Sequence, residues 1–378
     1  MAQASSVRGP AEKAERLVSL DAFRGVVMAL MILVNTAGGF PGAYGPLQHA
    51  DWNGWTITDV VFPSFVWIVG VSLCLSLSKR LAAGVPRGPL VWRVLRRGAI
   101  IYGLGLLIYA FPYFHLSTLR VLGVLQRIAI CYVAGSLLYL FTGLRTQIAC
   151  IVGLLASYWA LMMFVPVPGY GVGRLDVQGN LAHWVDRMLL GTHNYAATKT
   201  WDPEGVVSTL PAIASVLFGV MAAHLLRAKK ALSERTTWLY FTGSVLLALG
   251  LVCNTWLPIN KKLWTSSFAI FMAGLDFVMF ASALWLIDGM GRKRFARPFV
   301  IFGMNAISIY MVAELLETTM GVVRWPGSSE SLRGWLYGNL YAPVFSPANA
   351  SLLFALSYVA LMFAIAYGMY RRGWFLRV

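Results

Sequence analysis

Charged side chains are scarce in this chain. Only 12% of its 378 residues are Asp, Glu, Lys or Arg, against about 25% in soluble domains. Carboxylates are scarcest, 15 against 31 Lys and Arg. This excludes an ordinary water-exposed globular surface. A hydrophobic content of 58% and a mean hydropathy of +0.67 indicate a bilayer environment instead. Cysteine is limited to Cys74, Cys131, Cys150 and Cys253, all inside apolar runs, so neither a disulfide nor a zinc framework is indicated. Alternating segments of about ten residues are missing, which excludes a transmembrane β-barrel. A Walker A loop, a G-x-G-x-x-G turn and an HExxH pair are missing too, and no metal is expected. Met1–Arg16 is polar, and the apolar run behind it is too long for the core of a signal peptide. No internal repeat is visible, so the inverted-repeat pattern of many transporters is lacking.

What is present is a series of apolar runs close to the ~20 residues that span a bilayer core. The fold class is all-α, a polytopic transmembrane bundle of about ten helices. They are placed near 20–37, 58–78, 98–113, 121–142, 147–166, 206–226, 237–257, 264–288, 298–318 and 349–370. A polar segment, 1–16, precedes a single membrane domain, 17–378. Between these helices Lys and Arg alternate by side, 21 against 8. The positive-inside rule then puts both termini in the cytoplasm. It also accounts for the net charge of +16 without a nucleic-acid partner. The cluster Lys79, Arg80, Arg87, Arg93, Arg96 and Arg97 reads mainly as this topogenic charge, with polyanion binding as the rival reading.

One loop stands apart. Between Ala37 and Ile57 there is no Lys or Arg, yet His49, Asp51, Asn53 and Asp59 fall within eleven positions, with Asn35 just upstream. The charge alternation places this knot on the extracytoplasmic side. A neutral imidazole works as a general base or as a nucleophile near neutral pH. His49 is the candidate for that role, and Asp51 or Asp59 would orient it. Two long loops, 167–205 and 321–347, would cover the same face.

Intramembrane charges are functional candidates by default. Asp21 and Arg24 are three apart and share a helix face. Asn35, eleven residues beyond Arg24, falls on the same stripe roughly 16 Å away. Arg127 sits well inside the fourth helix and needs a partner, for which Glu314 and Asp59 are at similar depth. Asp276 is also intramembrane. Glu204, in WDPEG before the sixth helix, reads chiefly as a helix-start signal. His183 and His193, ten apart in a loop, are weak metal candidates.

Six ordered blocks carry a family resemblance: RLVSLDAFRGVVMALMILVN, QHADWNGWTITDVVFPSFVWIVGVSL, GVLQRIAICY, WDPEGVVSTLPAI, NKKLWTSSFAIF and FGMNAISIYMVAELL. Together they resemble the bacterial relatives of heparan-α-glucosaminide N-acetyltransferase, a transmembrane acetyltransferase family. The resemblance implies acetyl transfer from cytosolic acetyl-CoA to an amino or hydroxyl group of a sugar or glycan across the membrane. By the same resemblance His49 matches the family's active-site histidine and Asn35 the asparagine near the acetyl group. Asp21, Arg24 and Arg127 match its S-x-D-x-F-R-G and LQR blocks. Asp51 stands where the lysosomal enzyme has a serine.

The resulting expectations are specific. His49, Asn35, Asp59 and Asp51 form the catalytic set, and Asp21, Arg24, Arg127 and Asn53 hold the acetyl-CoA donor. The expected partners are membrane lipid, an extracytoplasmic amino sugar or glycan, and a second copy in a homodimer. The expected location is the bacterial inner membrane. A transporter or permease for a small polar solute is the alternative, and a non-catalytic assembly subunit a third reading.

Overall fold

The computed structural model of the protein describes residues 17–40, 42–327 and 329–375. Among them every regular element is a helix: α1 (Val18–Ala37), α2 (Ile57–Ala82), α3 (Arg87–Ala110), α4 (Val124–Phe141), α5 (Leu144–Phe164), α6 (Leu181–Leu190), α7 (Thr209–Arg227), α8 (Leu232–Cys253), α9 (Ser266–Ala283), α10 (Lys293–Met304), α11 (Ala306–Val322), α12 (Leu332–Leu336) and α13 (Pro347–Arg371). α9 continues as a wider turn to Gly289. The expected polar segment 1–16 lies outside the described residues.

Nine of the ten expected segments each coincide with one helix, and the tenth, 298–318, falls on two, α10 and α11. Among the described residues eight helices are long and apolar enough to cross a membrane, or nine if α10 and α11 form one bent span. The remaining expected segment, α3, is not among them, because Arg87, Arg93, Arg96 and Arg97 occupy its first three turns. The basic run expected in a loop over 79–97 lies mostly on helix ends. α2 carries Lys79 and Arg80 in its last turn, where cations face the negative end of the helix dipole. Lys and Arg are also good helix formers, so hydropathy underestimates the length of both helices.

α2 and α7 are the central elements. In their apolar stretches 72% and 67% of residues are buried, against 22% in α8 and 28% in α5 and α13. α2 packs closely on α7, and α1 on α10. Both crossings rest on glycine. A Cβ at Gly70 would stand 1.9 Å from the Val216 carbonyl oxygen, and one at Gly25 would stand 1.7 Å from that of Phe299. Small residues at such crossings let backbones approach, which drives helix association where lipid supplies no hydrophobic force.

The expected helix 298–318 is not one straight helix. α10 and α11 meet at a bend of 67° around Asn305, whose φ of −121° and ψ of 33° leave the helical region. The Asn305 side chain donates to the Trp374 carbonyl at 3.0 Å. In FGMNAISIY the polar Asn305 is a single residue inside an apolar run, too little to separate two helices in the apolar pattern. Irregular backbone at membrane depth persists where it finds partners inside the protein. The long stretch 167–205, expected as loop, contains α6, started by Asn180, whose side chain accepts from the His183 amide at 2.9 Å.

Candidate active site

The first turn of α2 builds the site. Thr56 and Asp59 form a reciprocal capping box, which satisfies orphan amides at the helix start. Asp59 Oδ2 accepts from the Thr56 and Ala50 amides, each at 3.0 Å. That leaves Oδ1 for His49 Nδ1, at 2.7 Å. The carboxylate is 1% exposed and the imidazole 49%. A buried, pinned acceptor thus orients an exposed ring. With its proton on Nδ1 and donated to Asp59, the imidazole presents the Nε2 lone pair.

A third group comes from the other side. The loop between α8 and α9 crosses the His49 loop, held by Gly54 N–H donating to the Ile259 carbonyl at 2.7 Å and by Asn260 Nδ2 donating to Asn53 Oδ1 at 3.2 Å. This brings Lys261 Nζ to 3.1 and 3.4 Å from His49 Nδ1 and Nε2, and to 3.7 Å from Asp59. Burial lowers the Lys261 pKa below the usual lysine value, and the nearby Asp59 and Glu204 carboxylates offset this only in part. An imidazole, a carboxylate and an ammonium group therefore share one small volume.

Of the two carboxylates expected to orient His49, only Asp59 reaches it. The Asp51 side chain is exposed and has no hydrogen-bond partner among the described residues; its backbone carbonyl accepts from Lys262 at 2.5 Å. Asn53 is engaged in joining the two loops. Asn35 is not hydrogen-bonded to His49. Its Nδ2 donates to Glu314 Oε1 at 3.3 Å, in a narrow cleft that Glu317 and Tyr358 also line. Arg24 contacts Asp21 at 3.4 Å, as their spacing suggested, and donates to Ser72 Oγ on α2 at 2.8 Å. Asp276, fully buried on α9, meets Ser64 Oγ at 2.5 Å.

Arg127 has neither of its expected partners, Glu314 and Asp59. It donates instead to the Gly205 carbonyl at 2.9 Å, to Ser208 Oγ at 2.5 Å and to the Pro203 carbonyl at 3.3 Å. The turn before α7 presents these oxygens together, so the direct bonds of the arginine go to uncharged groups while the Glu204 carboxylate offsets its charge from nearby. Beside it lies a network the sequence did not reveal. Arg120 makes a two-pronged contact with Asp202, at 2.7 and 2.6 Å, and bonds Glu204 at 2.5 Å and the Tyr109 hydroxyl at 2.9 Å. Burial pushes the Glu204 carboxyl up, but Arg120, Arg127 and Lys261 more than offset it, leaving a pKa below the usual value. Glu204 thus links this network electrostatically to Lys261. Asp186 on α6 completes the wall, accepting from the Val206 and Asp202 amides at 2.9 and 3.3 Å. Gly205 must be glycine there, since a Cβ would stand 2.1 Å from the Asp186 carboxylate. His183 and His193 each bond a backbone carbonyl through Nδ1, those of Val177 and Leu119.

Residues 16–259 match the family model described as heparan-alpha-glucosaminide N-acetyltransferase, catalytic. The chain belongs to that family. His49, Asp59, Asn35, Arg127 and Glu204 lie inside the matched region, and Lys261 stands two residues beyond it. Two curated relatives are the heparan-alpha-glucosaminide N-acetyltransferases of Mus musculus, 28% identical over 358 residues, and Homo sapiens, 27% identical over 356. Each alignment covers 80% of this chain but only 54% and 53% of the relative. The chain thus spans about half the length of the curated relatives it matches. Family membership and the apolar helices together make this member of the heparan-α-glucosaminide N-acetyltransferase family an integral membrane protein.

Proposed function

We propose that the protein is a membrane acetyltransferase that moves an acetyl group from acetyl-CoA to an amino or hydroxyl group of a sugar or glycan on the opposite face. The observation that carries this reading is the exposed His49 imidazole, held through Nδ1 by the buried Asp59 carboxylate, with Nε2 beside Lys261 Nζ at 3.4 Å. The expected topology places both chain ends on the donor side, in a bacterial inner membrane, with the His49 loop on the acceptor side.

His49 Nε2 takes the proton of the acceptor nucleophile as that atom attacks the thioester carbonyl. A C–N or C–O bond forms, the carbonyl becomes a tetrahedral oxyanion, and the C–S bond then breaks. The proton held by His49 passes to the departing CoA thiolate. Asp59 fixes the tautomer and stabilises the imidazolium during the transfer. Lys261 supplies positive charge beside the developing oxyanion. Electrostatic donors of this kind are worth about 3–4 kcal/mol where one has been removed. Asn35 is the candidate to hold the thioester carbonyl, with Glu314 orienting its amide. Asp21 and Arg24 lie on the path of the donor, one helix face below Asn35. In the two-step variant Nε2 attacks the thioester itself, the C–S bond breaks and CoA leaves as the thiolate; the acceptor then displaces the acetyl group from the imidazole, and its proton leaves on the freed Nε2.

The test uses purified protein in detergent, acetyl-CoA labelled on the acetyl group, and glucosamine or related amino sugars. Label on the sugar together with free CoA supports the reading. Absence of acetyl-CoA binding at millimolar donor overturns it.

A further inference from the structure

The end of α2 remote from His49 faces a second cavity. It is open to solvent and lies between α2, α3 and α4. Arg80 from α2 and Arg93, Arg96 and Arg97 from α3 converge on it, with Ser76 and Tyr132 in the wall. Arg97 lies 5.1 Å from the centre of the Tyr132 ring, and its buried Nε has no hydrogen-bond partner. Among the described residues none of the four arginines is paired with a carboxylate. No Asp or Glu stands between Asp59 and Asp176, so the helices that line the cavity supply no acid of their own.

Topogenic charge alone does not account for this arrangement. An arginine that only marks the inner face needs water around its head and reaches out to it. Arg80 and Arg97 are partly buried and turn into a cavity that two further arginines share. Four like charges held together without acids repel one another until an anion joins them. Guanidinium groups match phosphate oxygens in fork geometry, and Leu73, Leu77 and Tyr132 offer an apolar or aromatic surface beside them.

We propose that this cavity is a binding site for a phosphate-bearing ligand with an apolar or aromatic portion. Two sources carry that chemistry. One is the nucleotide end of coenzyme A, with its diphosphate and 3′-phosphate; this assignment rests on the acetyl-CoA reading above. Ser76, in the cavity wall, lies one helical turn along α2 from Ser72, which accepts from Arg24 at 2.8 Å on the proposed donor path. The other source is the headgroup of an anionic phospholipid.

The experiment compares wild type, Arg93→Gln/Arg96→Gln, Arg97→Lys, and Arg145→Gln as a control for exposed charge elsewhere. Arg93 and Arg96 are exposed at the cavity rim, so their replacement leaves the core intact, and melting temperature verifies this. Two quantities are measured: the affinity for adenosine 3′,5′-bisphosphate and acetyl-CoA, and the phospholipid phosphorus retained per protein after purification. A loss of about tenfold or more in nucleotide affinity in the cavity variants, absent in Arg145→Gln, supports the site and assigns it to the coenzyme. Unchanged nucleotide affinity with less retained phospholipid in those variants supports the site and assigns it to lipid. If neither quantity changes, or Arg145→Gln changes both equally, the proposal is overturned. Wild type that binds acetyl-CoA alongside unaffected cavity variants sinks the site and leaves the donor reading standing. Wild type that fails to bind acetyl-CoA while the variants lose phospholipid does the reverse.

Discussion

His49 Nδ1 and Asp59 Oδ1 lie 2.7 Å apart, while the other oxygen of the same carboxylate closes the first turn of α2. One side chain thus serves both helix start and imidazole. The consequence is that a fold element and the proposed catalytic base share a single acceptor, and a change at Asp59 reaches both.

Asp59→Asn is therefore expected to lower turnover about 100-fold or more, since the imidazole loses its orienting anion. Thr56→Ala removes the hydroxyl of the same capping box but keeps the His49–Asp59 contact. It should cost about 1 kcal/mol of stability and leave turnover within a few-fold. Steady-state rates set beside melting temperatures for the two variants separate the roles. Equal losses of rate in both would contradict the assignment.

Lys261 gives a pH-dependent prediction. Its folded pKa lies below the ordinary lysine value of 10.5, burial being the main cause. The ammonium form is therefore lost as pH rises, before a free lysine would lose it. If that charge stabilises the oxyanion, the rate of the wild type falls on the alkaline side below pH 10.5. Lys261→Arg, which keeps its charge, should shift that limb upward, and Lys261→Met should lack it and be slow at every pH. A pH–rate profile of the three proteins gives the answer.

Little of this constellation was legible in the sequence, for physical reasons. The helices were, because a bilayer demands continuous apolar runs and charge alternates between them. His49 and its neighbouring acids were, because a polar knot is conspicuous in a chain so poor in carboxylates. Lys261 was not, since 212 positions separate it from His49 and only the crossing of two loops brings it near. NKKLW did hold a weak signal: two lysines together on the face where Lys and Arg are fewest. Arg127 misled because a buried arginine suggests a carboxylate, whereas the turn at Pro203–Ser208 supplies carbonyl and hydroxyl oxygens. The break at Asn305 was invisible because a single polar residue is too little to interrupt an apolar run.

Arg127→Lys tests that turn. The side chain is 1% exposed, and its fork reaches three oxygens from two nitrogens, Nη1 and Nη2, a spacing that the single nitrogen of a lysine does not reproduce. The loss is expected to be about 3 kcal/mol, read as a lower melting temperature and poor yield from detergent. Wild-type stability in Arg127→Lys would contradict the contacts described.

Asp186 predicts how stability depends on pH. Burial raises its carboxyl from 3.8 to about 6, with the Val206 and Asp202 amides only partly opposing. The folded state therefore favours the protonated acid. This group's contribution is fully present below about pH 4 and is lost as pH rises through about 6, a swing of roughly 3 kcal/mol. Melting temperature should fall between pH 4 and 7 more steeply in wild type than in Asp186→Asn. Parallel slopes would count against the shift.

In the proposed reaction His49 carries the acyl transfer. The most direct measurement is a single turnover with labelled acetyl-CoA and glucosamine, comparing wild type with His49→Ala. Donor affinity is expected to be equal in the two proteins, with release of CoA by wild type alone. Release of CoA by His49→Ala at the wild-type rate would contradict it.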